Sequence, residues 1–95
     1  MLKVGDRIVL TEESRQSCNI FHEHPGDTAT VIGVSKVSSR SDYECVLEFD
    51  RHIGGHDGLT DATGKNGHCV IYYFDSTQWD KYFRKIQSKR KNNYY

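Results

Sequence analysis

Ninety-five residues set a bound of one small domain, burying a modest core with a thin margin of stability. Hydrophobic residues are 36% of the chain and aromatics 12%, which predicts one compact unit rather than a disordered chain. Three cysteines (Cys18, Cys45 and Cys69) and no secretory signal at the N-terminus argue against a disulfide framework and for a reducing, cytoplasmic setting. No apolar run approaches the ~18 residues of a membrane span, so no membrane partner is expected.

The formal charge is zero, but it is unevenly laid out. Residues 1–80 hold 7 basic and 13 acidic side chains, and residues 81–95 hold six basic and no acidic ones. This acidic body with a basic tail suits contact with nucleic acid or an acidic partner. It is equally the pattern of a solvated end, or of one that folds back on the body.

In chain order, Leu2, Val4, Ile8 and Leu10 fall on one parity, the period of a half-buried strand. Residues 11–25 are polar and irregular, and Ile20 and Phe21 are expected to pin them to the core. Pro25-Gly26-Asp27 is a turn, and Thr28 to Val34 is a β-branched strand in which Gly33 marks a bulge or a close backbone approach. After a polar connection, Tyr43, Cys45, Leu47 and Phe49 alternate with Glu44, Val46 and Glu48, predicting a strand with one buried face. Cys69 to Phe74 is apolar on both parities, as in a strand covered on both faces. Asp75 to Trp79 reads as a capped single turn before a last strand, Tyr82 to Ile86. A helix from Thr77 to Lys89 is the rival there, since Trp79, Phe83 and Ile86 recur at helical spacing.

The longest connection, Asp50 to His68, holds five of the eight glycines and three of the five histidines. A loop this long in so small a domain is more often a binding element than slack. His52, His56, Asp57, Lys65, Asn66 and His68 are its candidate binding residues. Zinc would need three or four nitrogen or sulfur ligands, and no C-x-x-C or paired H-x₃₋₅-H motif is present; the alternative is that the imidazoles bond loop carbonyls. Cys69 beside His68 suggests a thiol–imidazole pair, but neighbours on a strand face apart. Asp57-Gly58 and Asn66-Gly67 are ordinary turn dipeptides, and no phosphate-binding G-x-x-x-x-G-K-[ST] motif exists. No catalytic residue, metal ligand or cofactor is therefore assigned. In the tail, Arg84, Lys85, Lys89, Arg90 and Lys91 offer cations to phosphates, and Tyr94 and Tyr95 offer stacking faces to unpaired bases.

Five short strands with closely spaced turns predict an all-β, five-stranded barrel over residues 1–86, with one long inserted loop and a basic tail over 87–95. L-K-V-G-D-R-I-V-L, the run Gly26 to Ile32 and Val-Leu-Glu-Phe-Asp (46–50) resemble, in that order, the small SH3-like barrels that include KOW-type domains. Ala29 departs from that pattern, standing where the motif has its second glycine. The set, with G-G-H-D-G and G-K-N-G-H-C, also resembles small barrels encoded by bacteriophages, which would place the protein in a host cytoplasm. The resemblance implies a non-enzymatic module that contacts nucleic acid or a nucleic-acid-associated protein. The alternative is a protein-interaction module or inhibitor whose acidic body, through Glu44, Glu48, Asp57 and Asp61, docks on a basic host protein.

Overall fold

The computed structural model describes residues 2–17, 20–37, 42–59, 62–75 and 77–86. Five strands form one antiparallel sheet: β1 (Arg7–Leu10), β2 (Thr28–Lys36), β3 (Asp42–Phe49), β6 (Cys69–Asp75) and β7 (Phe83–Ile86), in the order β6-β3-β2-β1-β7. Between β3 and β6 the chain makes a separate two-stranded sheet, β4 (Gly58–Leu59) with β5 (Ala62–Thr63). Two single helical turns complete the fold, α1 (Ser14–Ser17) and α2 (Trp79–Tyr82).

The alternation of β3 does what the sequence requires of it. Cys45, Leu47 and Phe49 are buried in the core with Ile8, Leu10, Ala29, Val31, Val70, Tyr72, Phe74 and Phe83. Each such large side chain contributes about 1.5–3 kcal/mol of burial. Gly33 is the bulge: the β2–β3 register shifts between Val31, opposite Leu47, and Gly33, opposite Val46. Of the helix considered for residues 77–89, the described residues form only α2 and then the strand Phe83–Ile86; residues 87–89 lie outside the described residues.

The expected five-stranded SH3-like or KOW-like barrel is not what forms. Neither sheet closes: β6 and β7 lie at opposite edges of the five-stranded sheet, and no ladder joins them among the described residues. The physical reason is the connection between them. A helical turn at Trp79–Tyr82 brings β7 alongside β1, and the β6 and β7 ends meet through rings instead of backbone. Phe83 stacks on Tyr72 with ring centroids 5.7 Å apart and meets Phe74 edge-on at 5.6 Å. The KOW-type and phage-barrel identification falls with the closed barrel that carried it.

Two residues read as core are exposed. Val4, placed on the inward parity, is 63% exposed, because the turn at Gly5 (φ 99°) breaks the strand period before β1 begins at Arg7. Ile20 is exposed, and Phe21 alone of that pair packs on the core. The stronger anchor of residues 11–27 is Glu23, whose carboxylate is buried. It accepts the Phe21 N–H at 2.6 Å, the Ile20 N–H at 3.3 Å and the Tyr72 hydroxyl. These donors offset the cost of taking a carboxylate out of water.

Arg7 grips Asp50 with two bonds of 2.7 Å, and the Thr28 hydroxyl donates to the same carboxylate. The guanidinium bond, more than burial opposes it, holds Asp50 below the ordinary carboxylate range. A carboxylate depressed on folding adds stability above its unfolded pKa and loses it as pH falls through the folded one.

Two outcomes follow for solution stability. Glu23→Ala strands two backbone donors and a buried hydroxyl, and should cost about 2–4 kcal/mol in urea unfolding, with Tyr72→Phe costing less. Unfolding free energy should also decline with acid below about pH 4, and Asp50→Asn should flatten that decline.

Candidate functional site

Within the Asp50–His68 connection, the β4–β5 part packs on the outer face of the main sheet, while Ile53 enters the core. The connection's glycines permit this closeness. A Cβ on Gly55 would overlap the Cys69 carbonyl oxygen, and one on Gly67 (φ 89°) would overlap the His52 ring. Backbone bonds then stitch the layer down: Gly55 N–H to Gly67 O at 3.0 Å, His56 N–H to Cys69 O at 2.9 Å and Cys69 N–H to His56 O at 3.0 Å. The Glu48 carboxylate accepts the Lys65 N–H at 2.8 Å. The small β4–β5 sheet crosses β2 where Gly33 leaves room, Ala62 Cβ lying 2.8 Å from a Cβ built there. Val46 and Cys69, on the outer parity, are buried beneath this layer. The prediction that β6 is covered on both faces holds at its start and fails at Tyr73, which is 66% exposed.

Of the six loop residues singled out from sequence, two have rings that meet. His52 and His68 meet edge-to-face with centroids 5.6 Å apart, whereas His56 packs against Phe21 at 6.0 Å. His68 Nδ1 lies 2.9 Å from the Phe49 carbonyl, the loop-carbonyl bond expected. His52 and His56 instead accept backbone N–H groups, from Gly54 at 3.2 Å and Gly58 at 2.9 Å. Asp57, Lys65 and Asn66 have exposed side chains. Among the described residues, no three His, Cys, Asp or Glu side chains come together as a metal-holding group.

The Cys69 thiol contacts the Lys65 carbonyl at 3.6 Å, and His68 turns to Phe49. Burial, then the charges of Glu48 and Asp57, push that thiol up, away from the thiolate a nucleophile needs.

Of the tail residues, Arg84 and Lys85 are described; Lys89, Arg90, Lys91, Tyr94 and Tyr95 lie outside the described residues, as does Asp61 of the acidic surface. Lys85 is engaged within the fold, 3.2 Å from Asp6 and 5.4 Å above the Trp79 ring. Arg84 is exposed on a cleft of about 550 Å³ whose other charged residues are Glu12, Glu13, Asp80 and Lys81. Phosphate would meet three carboxylates there.

The sequence reading missed a groove of about 490 Å³ on the outer face. Val4, Ile32, Ser35, Val46, Leu59 and Ala62 are among the residues that line it, and Glu44 is its one charged lining residue among the described residues. Val4 is 63% and Leu59 38% exposed, so apolar surface faces water on both sides of the groove. Beside it Tyr73 donates its hydroxyl to Glu44 at 3.2 Å. A signal was present: Val31 and Ile32 put apolar side chains on both parities of β2, as in β6. Compared with known proteins, the chain matches no family model, no curated protein and no solved structure. Among the described residues, no helix is long and apolar enough to cross a membrane.

If glycine contact seals this layer, Gly55→Ala should open it. In a Cys18→Ser background, Cys69 should react with a thiol reagent at least about tenfold faster than in the unsubstituted loop, since the closed form must otherwise open locally first. Equal rates would mean that the layer does not protect Cys69.

Proposed function

We propose that this protein is a non-enzymatic protein-interaction module that binds a peptide segment in the outer-face groove. The observation that carries this reading is the groove itself: exposed Val4 and Leu59 flank a floor of mixed polar and apolar surface, which among the described residues carries one carboxylate, Glu44. A concave surface that joins apolar side chains to a few placed polar groups is the usual form of a recognition site. Its complement is an apolar or aromatic side chain next to a lysine or arginine. This refines the acidic-body reading, with Glu44 and the neighbouring Glu48 on the same face of β3 as the relevant carboxylates.

A second reading, contact with nucleic acid through the tail, is favoured by Arg84, an exposed cation with no ion pair among the described residues, from which the chain runs on to Lys89, Arg90 and Lys91. The carboxylates around Arg84 and the engagement of Lys85 make it the weaker of the two.

One experiment separates them. A peptide array of random dodecamers is probed with the labelled wild-type protein and with Leu59→Asp and Glu44→Lys, and fluorescent RNA and DNA are titrated in parallel at two salt concentrations. The groove reading expects peptides enriched in basic residues beside apolar ones, with binding lost in both variants. Salt-sensitive RNA or DNA binding, untouched by those variants and lost when Lys89, Arg90 and Lys91 become glutamate, would replace it with the tail reading.

A further inference from the structure

Resting on the groove reading above, we infer that the groove selects an extended segment carrying arginine two positions from an apolar side chain, with the guanidinium seated on Ser35, Glu44 and Tyr73. The register puts these three in one row. Ser35 lies opposite Glu44 in the β2–β3 ladder, and Glu44 lies opposite Tyr73 in the β3–β6 ladder. Val46, two positions along β3, is buried under the outer layer, so the row stands on the outer face. The fold leaves this row short of a cation. Glu44 is half-buried, and the Tyr73 hydroxyl, donating to Oε2 at 3.2 Å, is the carboxylate's one hydrogen-bond partner among the described residues. Lys36, the basic residue of these ladders, sits opposite Tyr43, one position on and therefore on the other face. The bond to Glu44, and then the charge of its carboxylate, raise the Tyr73 phenol, as a carboxylate without a cation does to its neighbour.

A guanidinium fits this row better than an ammonium. It is flat, carries five N–H donors and stacks on aromatic rings. Tyr73 is 66% exposed, so its ring is open to such a stack. The phenol orients Oε2 of Glu44, which leaves Oε1 for a charged hydrogen bond, and Ser35, exposed at the groove, offers a hydroxyl oxygen to another donor of the same fork. Lysine has the charge but neither the plane nor the fork. Spacing supplies the second determinant. Next along β3 on this face is Val46, opposite Ile71, in the apolar part of the groove with Val4, Ile32, Leu59 and Ala62. Two residues of strand advance about 7 Å, and an extended ligand repeats its side chains on one face at the same interval. An arginine over Glu44 therefore sets the side chain two positions away over Val46, and a shift of one residue turns that side chain to the opposite face.

The test uses the full chain and, as probes, the peptides of the random dodecamer array that bind it, resynthesised with fluorescein and titrated by anisotropy. These peptides should carry arginine two positions from an aliphatic or aromatic residue. Replacing that arginine by lysine forfeits a charged hydrogen bond and the flat stack, and should weaken binding about tenfold. Moving the apolar residue by one position should also weaken it. On the protein side, Tyr73→Leu should cost the arginine peptide about two- to fivefold, whereas Tyr73→Phe, which keeps the ring, should retain the preference for arginine. Glu44→Gln should bring the arginine and lysine peptides close to equal. Equal affinity of wild type for the two peptides, with Leu59→Asp still abolishing both, overturns the inference and leaves the groove reading standing. Array peptides that bind without arginine overturn it as well, and so does an arginine preference that Tyr73→Leu and Glu44→Gln leave unchanged. If no array peptide binds, the groove reading fails and this inference fails with it.

Discussion

Ile53 belongs to no strand, yet it is one of the fully buried residues of the core. Its burial is possible because both of its peptide groups are satisfied on the way in. The N–H donates to Gly67 O at 2.9 Å, and its carbonyl accepts the His22 N–H at 2.9 Å. Around that point the two long connections lock together. Arg51 reaches Asp27 and the His22 carbonyl, and Phe21 meets His56. One apolar side chain driven inward thus sits where residues 21–27 and 51–56 are joined. The Gly/His-rich segment is tied to the core at Ile53, and its β4–β5 part covers some of the outer sheet face.

The same joint explains how much could be read from sequence. Local patterns were legible: the alternation from Tyr43 to Phe49, the turn at Pro25-Gly26-Asp27 and the bulge at Gly33 each follow from one residue's sterics or from period two. Closure of the sheet was not legible. Apolar alternation says that Tyr72, Phe74 and Phe83 face inward, and rings that meet across a gap satisfy it as well as a hydrogen-bonded ladder does. Ile53 and Glu23 were missed for a related reason. Each sits in a polar, glycine- or histidine-rich stretch with no periodicity, and each is buried by partners remote in sequence. Of the candidate site, the loop was found as a location, but the groove residues are scattered over four segments that only the tertiary fold brings together.

Charge placement narrows what the body can bind. Arg7, Arg51 and Lys85 are paired with Asp50, Asp27 and Asp6. These pairs are partly exposed and each is worth little on its own. Their larger effect is to remove cations from the surface available to phosphate. Among the described residues, the carboxylates near the outer groove have no such guanidinium partners: Glu44 takes a tyrosine hydroxyl and Glu48 a backbone N–H. Neutral donors leave a carboxylate's charge in place, so that face stays negative although the chain as a whole sums to zero.

An open sheet also has two edges to protect, a constraint a closed barrel escapes. The β7 edge is four residues long and carries Arg84 and Lys85 side by side, a short charged strand that discourages pairing with another chain. The β6 edge is longer and more apolar, and its start is blocked because His56 bridges Cys69 in antiparallel fashion. The glycine contact that lets His56 approach Cys69 therefore serves twice: it seals Val46 and Cys69 under the outer layer, and it closes the end of the more adhesive edge. With one edge charged and the other capped at its start, association by strand addition is disfavoured at both ends of the sheet. That leaves the outer face, where the β4–β5 layer ends and Val4, Leu59 and Glu44 line the groove, as the surface proposed for recognition.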